Sequence, residues 1–303
     1  MSALTLGGGG LGQLWGATTR DEAVATVREA VDRGVSLLDL APRYGDGEAE
    51  RVVGEAFGGR LPEGVRVSTK YRVSNAPAAK VFDRLERSLE ESLQRMRLSR
   101  VDLFFLHGYL VDSGGGERRT PMTLFSEAVR RAFERLVEQG RIGAWGITAV
   151  GLPSAVLAAL REDPAPSAIQ AIANPLDSPG EMQWFEEPAR PREIIGAAAE
   201  RGIGVMGIRV VGAGALTDAL DRELPSDSPI AADFARAGPL RELARELGES
   251  TAALAHRYAL SMPGVDTVVL GVKNRGELRE CLAAESRGPL PAEVVARIDA
   301  IVR

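Results

Sequence analysis

The chain has 303 residues, 45% of them hydrophobic and 26% charged, with a formal net charge of −5. That supplies apolar material for one large core, and the mild acidic balance with no Lys/Arg-rich run argues against a dedicated nucleic-acid or membrane-surface protein. Cys281 is the only cysteine, which excludes an intrachain disulfide; no eighteen-residue apolar run or charged-then-apolar leader is present, so a soluble cytoplasmic protein is expected.

Short apolar or β-branched runs alternate with longer amphipathic ones from end to end. Strands are predicted at Leu4–Leu6, Val35–Asp39, Val65–Thr69, Val101–Leu106, Ile142–Ile147, Ala168–Ile172, Gly204–Ile208 and Asp266–Leu270. Helical patterns lie between them; Val81, Phe82, Leu85, Leu89, Leu93 and Met96, for example, keep one face apolar. Eight β-then-α repeats predict parallel strands joined by helical crossovers, and closure into a single (β/α)8 TIM barrel over residues 1–303 leaves no sheet edge. An open doubly wound sheet fits less well, because the early Gly-rich stretch does not give GxGxxG followed by a helix and a later acidic residue. Segments Gly108–Pro121, Asp177–Pro191 and Val210–Pro239 are rich in Gly, Pro, Ser or Asp and are expected to be irregular. In a barrel all three follow strand C-termini, where binding sites are built.

Four chemically apt residues end three successive strands. The second strand runs into Asp39 and the loop to Tyr44, the third into Lys70, the fourth into His107. A barrel would bring them to one mouth. A tyrosine hydroxyl has a pKa near 10 unperturbed, and a neighbouring ammonium favours its phenolate. Asp39 would hold Lys70 in place and charged, and His107 could hydrogen-bond a substrate oxygen. Singly, Asp39 reads as a turn residue, Tyr44 as a packing residue, Lys70 as a solvated charge and His107 as a core residue as readily as a catalytic one. Their combination shifts the reading. Lysine is also scarce: only Lys70, Lys80 and Lys273 occur beside 34 arginines.

The stretch Leu37-Leu38-Asp39-Leu40-Ala41-Pro42-Arg43-Tyr44-Gly45-Asp46-Gly47-Glu48-Ala49-Glu50 resembles the aldo-keto reductase signature around its catalytic Asp and Tyr. Ser68-Thr69-Lys70 is similar to that family's lysine strand and Asp102–His107 to its histidine strand, and the likeness continues through Arg141–Ile147 to Gly271. The resemblance implies a barrel oxidoreductase that interconverts a carbonyl (aldehyde, ketone or sugar) and an alcohol or lactone. Tyr44 would be the acid/base, Lys70 and Asp39 would tune it, and His107 would position the carbonyl. It also implies NADP(H), or less often NAD(H), lying across the mouth. Gly9, Gly10, Thr148, Gln170, Ile208 and Arg209 fall at cofactor positions, with Gln170 matching the carboxamide contact. Ala149 replaces a family Asn, and Ile208 stands where an aromatic ring usually stacks on nicotinamide.

Phosphate binding also has a physical argument. Gly212-Ala213-Gly214 lets backbone N–H groups approach an anion, and Gly271-Val272-Lys273-Asn274-Arg275 leads into a helix whose N-terminus and cations favour one. Glu277 stands where many relatives place Arg or Gln near the 2′-phosphate; Glu280 fits an adenine contact, although Cys281 replaces the Asn that follows. Trp15, Tyr71 and Tyr109 are candidate substrate-pocket aromatics, whereas Trp184 and Phe185 pack on the rim as readily. Ala41–Gly47 and Trp15-Gly16-Ala17 are similar to aldose 1-dehydrogenase-like members, which oxidise sugars to lactones. The alternative is a cofactor-binding sensor or regulatory subunit with little turnover. Two histidines, one of them (His256) in an expected helix, make no metal ligand set. A small carbonyl or sugar is the expected partner, with no nucleic acid and no membrane; the oligomeric state has no signature in the sequence.

Overall fold

The computed structural model describes residues 1–225 and 227–302. Eight parallel strands close into a barrel: β1 (Leu4–Gly7), β2 (Leu37–Asp39), β3 (Arg66–Tyr71), β4 (Val101–Leu106), β5 (Ile142–Thr148), β6 (Ala168–Ile172), β7 (Gly204–Ile208) and β8 (Thr267–Leu270). β1 pairs with both β2 and β8, which completes the ring. All eight coincide with predicted strands. The second is shorter than expected because the Val35 N–H is claimed by Ala30 O at the end of the preceding helix.

Strand alternation divides the core in two. Leu37, Phe105, Ala168 and Met206, with Leu103 and Val269, fill the barrel interior. The opposite set, including Leu6, Leu38, Val67, Phe104, Ile147 and Ile169, packs under the helices. α1 (Arg20–Asp32), α2 (Glu48–Phe57) and α3 (Val81–Met96) cover β1 to β4. In α3 the predicted stripe is buried at Val81, Leu85, Leu89, Leu93 and Met96, and the helix stops at Arg97 in a left-handed conformation. Each fully buried leucine contributes about 1.5–3 kcal/mol.

The expectation of irregular structure fails in parts of the three long loops. Residues 108–121 hold two paired three-residue strands, Tyr109–Val111 and Arg119–Pro121. A helix occupies Pro229–Arg236, because Ser228 Oγ accepts the Ile230 N–H and Pro229 sits at the first helical position, where its missing N–H costs nothing. Pro239 likewise lies in the first turn of the next helix, Gly238–Glu246. Ser226, inside the last of these segments, lies outside the described residues. No helix among the described residues is long and apolar enough to cross a membrane.

Candidate active site

The side chains that end the strands on the interior face meet at the C-terminal mouth. Asp39 and Ser68 are register partners, and Ser68 Oγ donates to Asp39 Oδ1 at 2.6 Å. Lys70 shares the face of Ser68, and its Nζ donates to Asp39 Oδ2 at 2.8 Å and to the Leu40 carbonyl at 2.7 Å. The lysine is fully buried. Its ammonium lies 4.8 Å from the centroid of the Tyr44 ring. The Tyr44 and His107 rings meet edge to face at 5.9 Å. The four residues expected to converge are therefore together.

Two supports had no clear sequence signal. Thr69, facing outward, donates to Glu50 Oε1 at 2.6 Å, and the buried Glu50 takes Arg95 Nε at 2.6 Å, pinning the middle of β3 to α2 and α3. Gly12 lies against the Tyr44 backbone: a Cβ there would come within 2.5 Å of the Tyr44 carbonyl carbon. Part of the early glycine stretch thus serves to seat the Tyr44 loop.

The electrostatics of the cluster depart from expectation at Tyr44. Burial pushes the phenol above its ordinary value, and the opposing pull of Lys70 does not cancel it. The reason is that Lys70's charge is already compensated by Asp39 at hydrogen-bond distance. Burial alone would discharge Lys70, but Asp39 and then Tyr44 outweigh it, and the ammonium is held above its usual pKa. His107 is driven well below the usual imidazole value by burial and then by Lys70, Arg72, Arg43 and Arg118. At neutral pH the mouth therefore presents a phenol, an ammonium and a neutral imidazole.

The neighbouring strand ends are polar and unspent. Thr148 and Gln170 are register partners on β5 and β6, and Thr148 Oγ1 and Gln170 Nε2 are buried without a hydrogen-bond partner among the described residues. Such orphaned groups cost free energy unless a ligand satisfies them. A primary carboxamide offers both a donor and an acceptor, so this pair fits a nicotinamide amide. Ile208 is the interior residue at the end of β7 and gives an aliphatic wall where an aromatic was absent from the sequence.

The remaining cofactor candidates scatter. Arg209, at φ 59°, turns toward Gly180 and leaves Nε and Nη2 buried without partners. The N–H groups of Gly212 and Gly214 donate to Arg209 O and Val211 O, each at 2.9 Å, so that turn spends on itself the donors expected to cradle phosphate. Gly10 abuts the Val272 carbonyl. Trp15, 45% exposed, covers Gly9 and Gly271: a Cβ on them would lie 2.6 and 3.6 Å from its indole nitrogen. It therefore sits over the ends of β1 and β8, while the Tyr109 ring lies 5.4 Å from that of Trp184. Tyr71 follows Lys70, leaves the strand on the helix-facing side, and packs against the outer core.

At the helix after β8 (Arg275–Ser286) the cations are already paired. Asn274 Oδ1 caps the helix by accepting the Glu277 N–H at 2.9 Å. Glu277 accepts Lys273 Nζ at 2.6 Å and the Lys273 N–H at 3.0 Å, occupying the anion position of that N-terminus. Arg275 pairs with Glu22, and Arg279 grips Glu29 through two bonds of 2.7 and 2.8 Å. Glu280 is exposed on the same helix. On that helix's buried face Cys281 Sγ lies 3.8 Å from His256 Nε2, with burial pushing the thiol up to about 12.

The sequence profile described as the Aldo/keto reductase family matches residues 3–303. L-galactose dehydrogenase of Arabidopsis thaliana is 25% identical over 308 residues, spanning 100% of this chain and 91% of the relative. D-threo-aldose 1-dehydrogenase of a Pseudomonas species is 27% identical over 71% of this chain and 67% of its own. Among solved structures, an aldo-keto reductase from Klebsiella pneumoniae in complex with NADPH superposes with a TM-score of 0.70 at 23% identity, covering 100% of this chain and 91% of that one.

Proposed function

The chain belongs to the aldo/keto reductase family of oxidoreductases, and on that premise we propose that it interconverts a carbonyl compound (aldehyde, ketone or sugar) and its alcohol or lactone, with Tyr44 as general acid and base. The observation that carries this reading is the buried Lys70–Asp39 pair beside Tyr44, with Lys70 Nζ 4.8 Å from the tyrosine ring centroid. When bound, a nicotinamide cofactor supplies the hydride that adds to the carbonyl carbon, or receives it in the oxidative direction. In reduction, Tyr44 gives its hydroxyl proton to the carbonyl oxygen, and the phenolate left behind is stabilised by the Lys70 ammonium. Asp39 and the Leu40 carbonyl keep that ammonium charged and aimed. Neutral His107 donates a hydrogen bond to the same oxygen and orients it. In oxidation each residue runs in reverse, and Tyr44 takes the alcohol proton.

Thr148 and Gln170 hold the carboxamide in this reading, and Lys273, Asn274 and Arg275 face the phosphate end. NADP(H) is supported by the two cations there and by the NADPH in the Klebsiella neighbour. One observation favours NAD(H) instead: both cations already hold carboxylates, Lys273 that of Glu277 and Arg275 that of Glu22. The two sugar-dehydrogenase relatives favour an aldose as substrate.

The test is turnover of the purified protein with both cofactors, in both directions, across aldehydes, ketones and aldoses, followed by absorbance of the reduced nicotinamide. Tyr44→Phe is expected to lose about 100- to 10,000-fold in kcat while cofactor Kd is retained. Full turnover in Tyr44→Phe sinks the mechanism. Tight cofactor binding with no turnover over the whole panel would support the regulatory alternative, which the missing aromatic at Ile208 motivates.

A further inference from the structure

Charge around the mouth is lopsided. Arg72 lies two residues beyond Lys70 and so continues its face. Its Nε donates to the His107 carbonyl at 3.2 Å, which fixes the guanidinium at the wall beside the imidazole. Its Nη1 is buried with no hydrogen-bond partner among the described residues. The Glu117 carboxylate stands 3.8 Å from that nitrogen, on a side chain 73% exposed that also takes Arg43 Nη2 at 3.2 Å. Lys70, Arg72, Arg43 and Arg118 all bear on His107. Asp39 is committed to Lys70, and Glu117 is shared between Arg43 and Arg72. This excess of positive charge occurs in a chain of net charge −5.

A buried guanidinium nitrogen without an acceptor is costly. Arg72 is not needed to hold Lys70, Asp39 or Tyr44, and its hydrogen bond to a backbone carbonyl would be met by one N–H. The planar fork has further donors, and such forks match carboxylate and phosphate oxygens in pairs. Resting on the oxidoreductase reading above, we propose that Arg72, backed by Arg43 and Arg118, is an anion subsite beside the reacting carbonyl. The substrate then carries a carboxylate or phosphate ester besides the group that is oxidised or reduced.

Matched pairs of probes test this: butanal against succinic semialdehyde, and glyceraldehyde against glyceraldehyde 3-phosphate. In the wild type kcat/KM favours the anionic member of at least one pair, and which pair responds says whether the anion is carboxylate or phosphate. In Arg72→Gln that anionic-to-neutral ratio falls by about 10- to 100-fold, chiefly through KM. Arg72→Lys, which keeps the charge but not the fork, retains an intermediate ratio. A wild-type ratio near one for both pairs, or a ratio unchanged in Arg72→Gln, overturns the proposal while leaving the oxidoreductase reading intact. Calorimetric titration with succinate and with inorganic phosphate decides the question without turnover: binding to the wild type that is lost in folded Arg72→Gln supports the subsite, and equal or absent binding in both refutes it. Failure of every carbonyl to react refutes the oxidoreductase reading alone.

Discussion

Lys70 and Lys273 each hold a carboxylate, Asp39 at 2.8 Å and Glu277 at 2.6 Å, yet the pairs sit in different media. The first has side chains 0% and 2% exposed, the second 29% and 34%. Desolvating two charges costs so much that a buried pair rarely adds net stability, and its geometry must be good for it to persist at all. The Lys70–Asp39 pair keeps an ammonium charged and immobile next to a phenol. An exposed pair contributes about 0–1 kcal/mol and opens readily. Lys273–Glu277 therefore neutralises a cation that a phosphate would otherwise meet. At similar lengths, burial makes one pair a fixed part of the chemistry and exposure makes the other an adjustable screen.

Making the same substitution in both places tests the contrast with the largest effect. Lys70→Met leaves the Asp39 carboxylate buried and unpaired, and should cost about 3–5 kcal/mol of stability with loss of turnover. Lys273→Met should change stability by no more than about 1 kcal/mol and act on cofactor affinity instead. Chemical denaturation of the two variants reads the first difference, and cofactor titration the second. Equal destabilisation would mean that burial does not separate the two pairs.

The same difference explains what could be read from the sequence. Short apolar runs alternating with amphipathic helical runs, eight times in order, imply the barrel, and with it the convergence of Asp39, Tyr44, Lys70 and His107. Those residues are set by local strand position. Glu22 on Arg275 and Glu29 on Arg279 join residues some 250 apart in sequence, and nothing local announces such pairs. Ser68 as the second partner of Asp39 could have been found, since it shares the interior face with Lys70. Trp15 folding over Gly9 and Gly271 could not, because it depends on how the first and last strands meet. The upward shift of Tyr44 was missed for a related reason. Residue types name the charges, but only packing shows that burial outweighs the lysine.

The exposed screen can be removed by itself. Glu277→Gln keeps the helix cap, whose acceptor is Asn274 Oδ1, but releases Lys273. One freed charge-assisted donor should raise the NADP-to-NAD ratio of kcat/KM about tenfold. The gain should shrink as salt is added, because the site faces solvent. An unchanged ratio would mean that Lys273 does not reach the phosphate and that Glu277 is only a surface partner.

The smallest effect, and the finest contrast, is in pH. His107 and His256 are both held below the usual imidazole value, chiefly by burial. The unfolded chain therefore takes up protons near pH 6.5 that the folded chain refuses, so stability falls as pH drops through that value. At the alkaline side Tyr44 is held above its ordinary value and Tyr258 is pushed up to about 12, while Cys281 is also pushed up to about 12. Here the unfolded chain releases protons that the folded chain keeps, and stability falls as pH rises through the ordinary thiol and phenol values. Between these limbs both Tyr44 and His107 remain in the protonation states that reduction requires. Reductive kcat should therefore be flat from about pH 6.5 to 9 and insensitive to salt, in contrast to cofactor discrimination at Glu277. A titration of kcat centred near pH 7 would show that imidazole at the mouth ionises in the working range, and would reassign the proton donor from Tyr44 to His107.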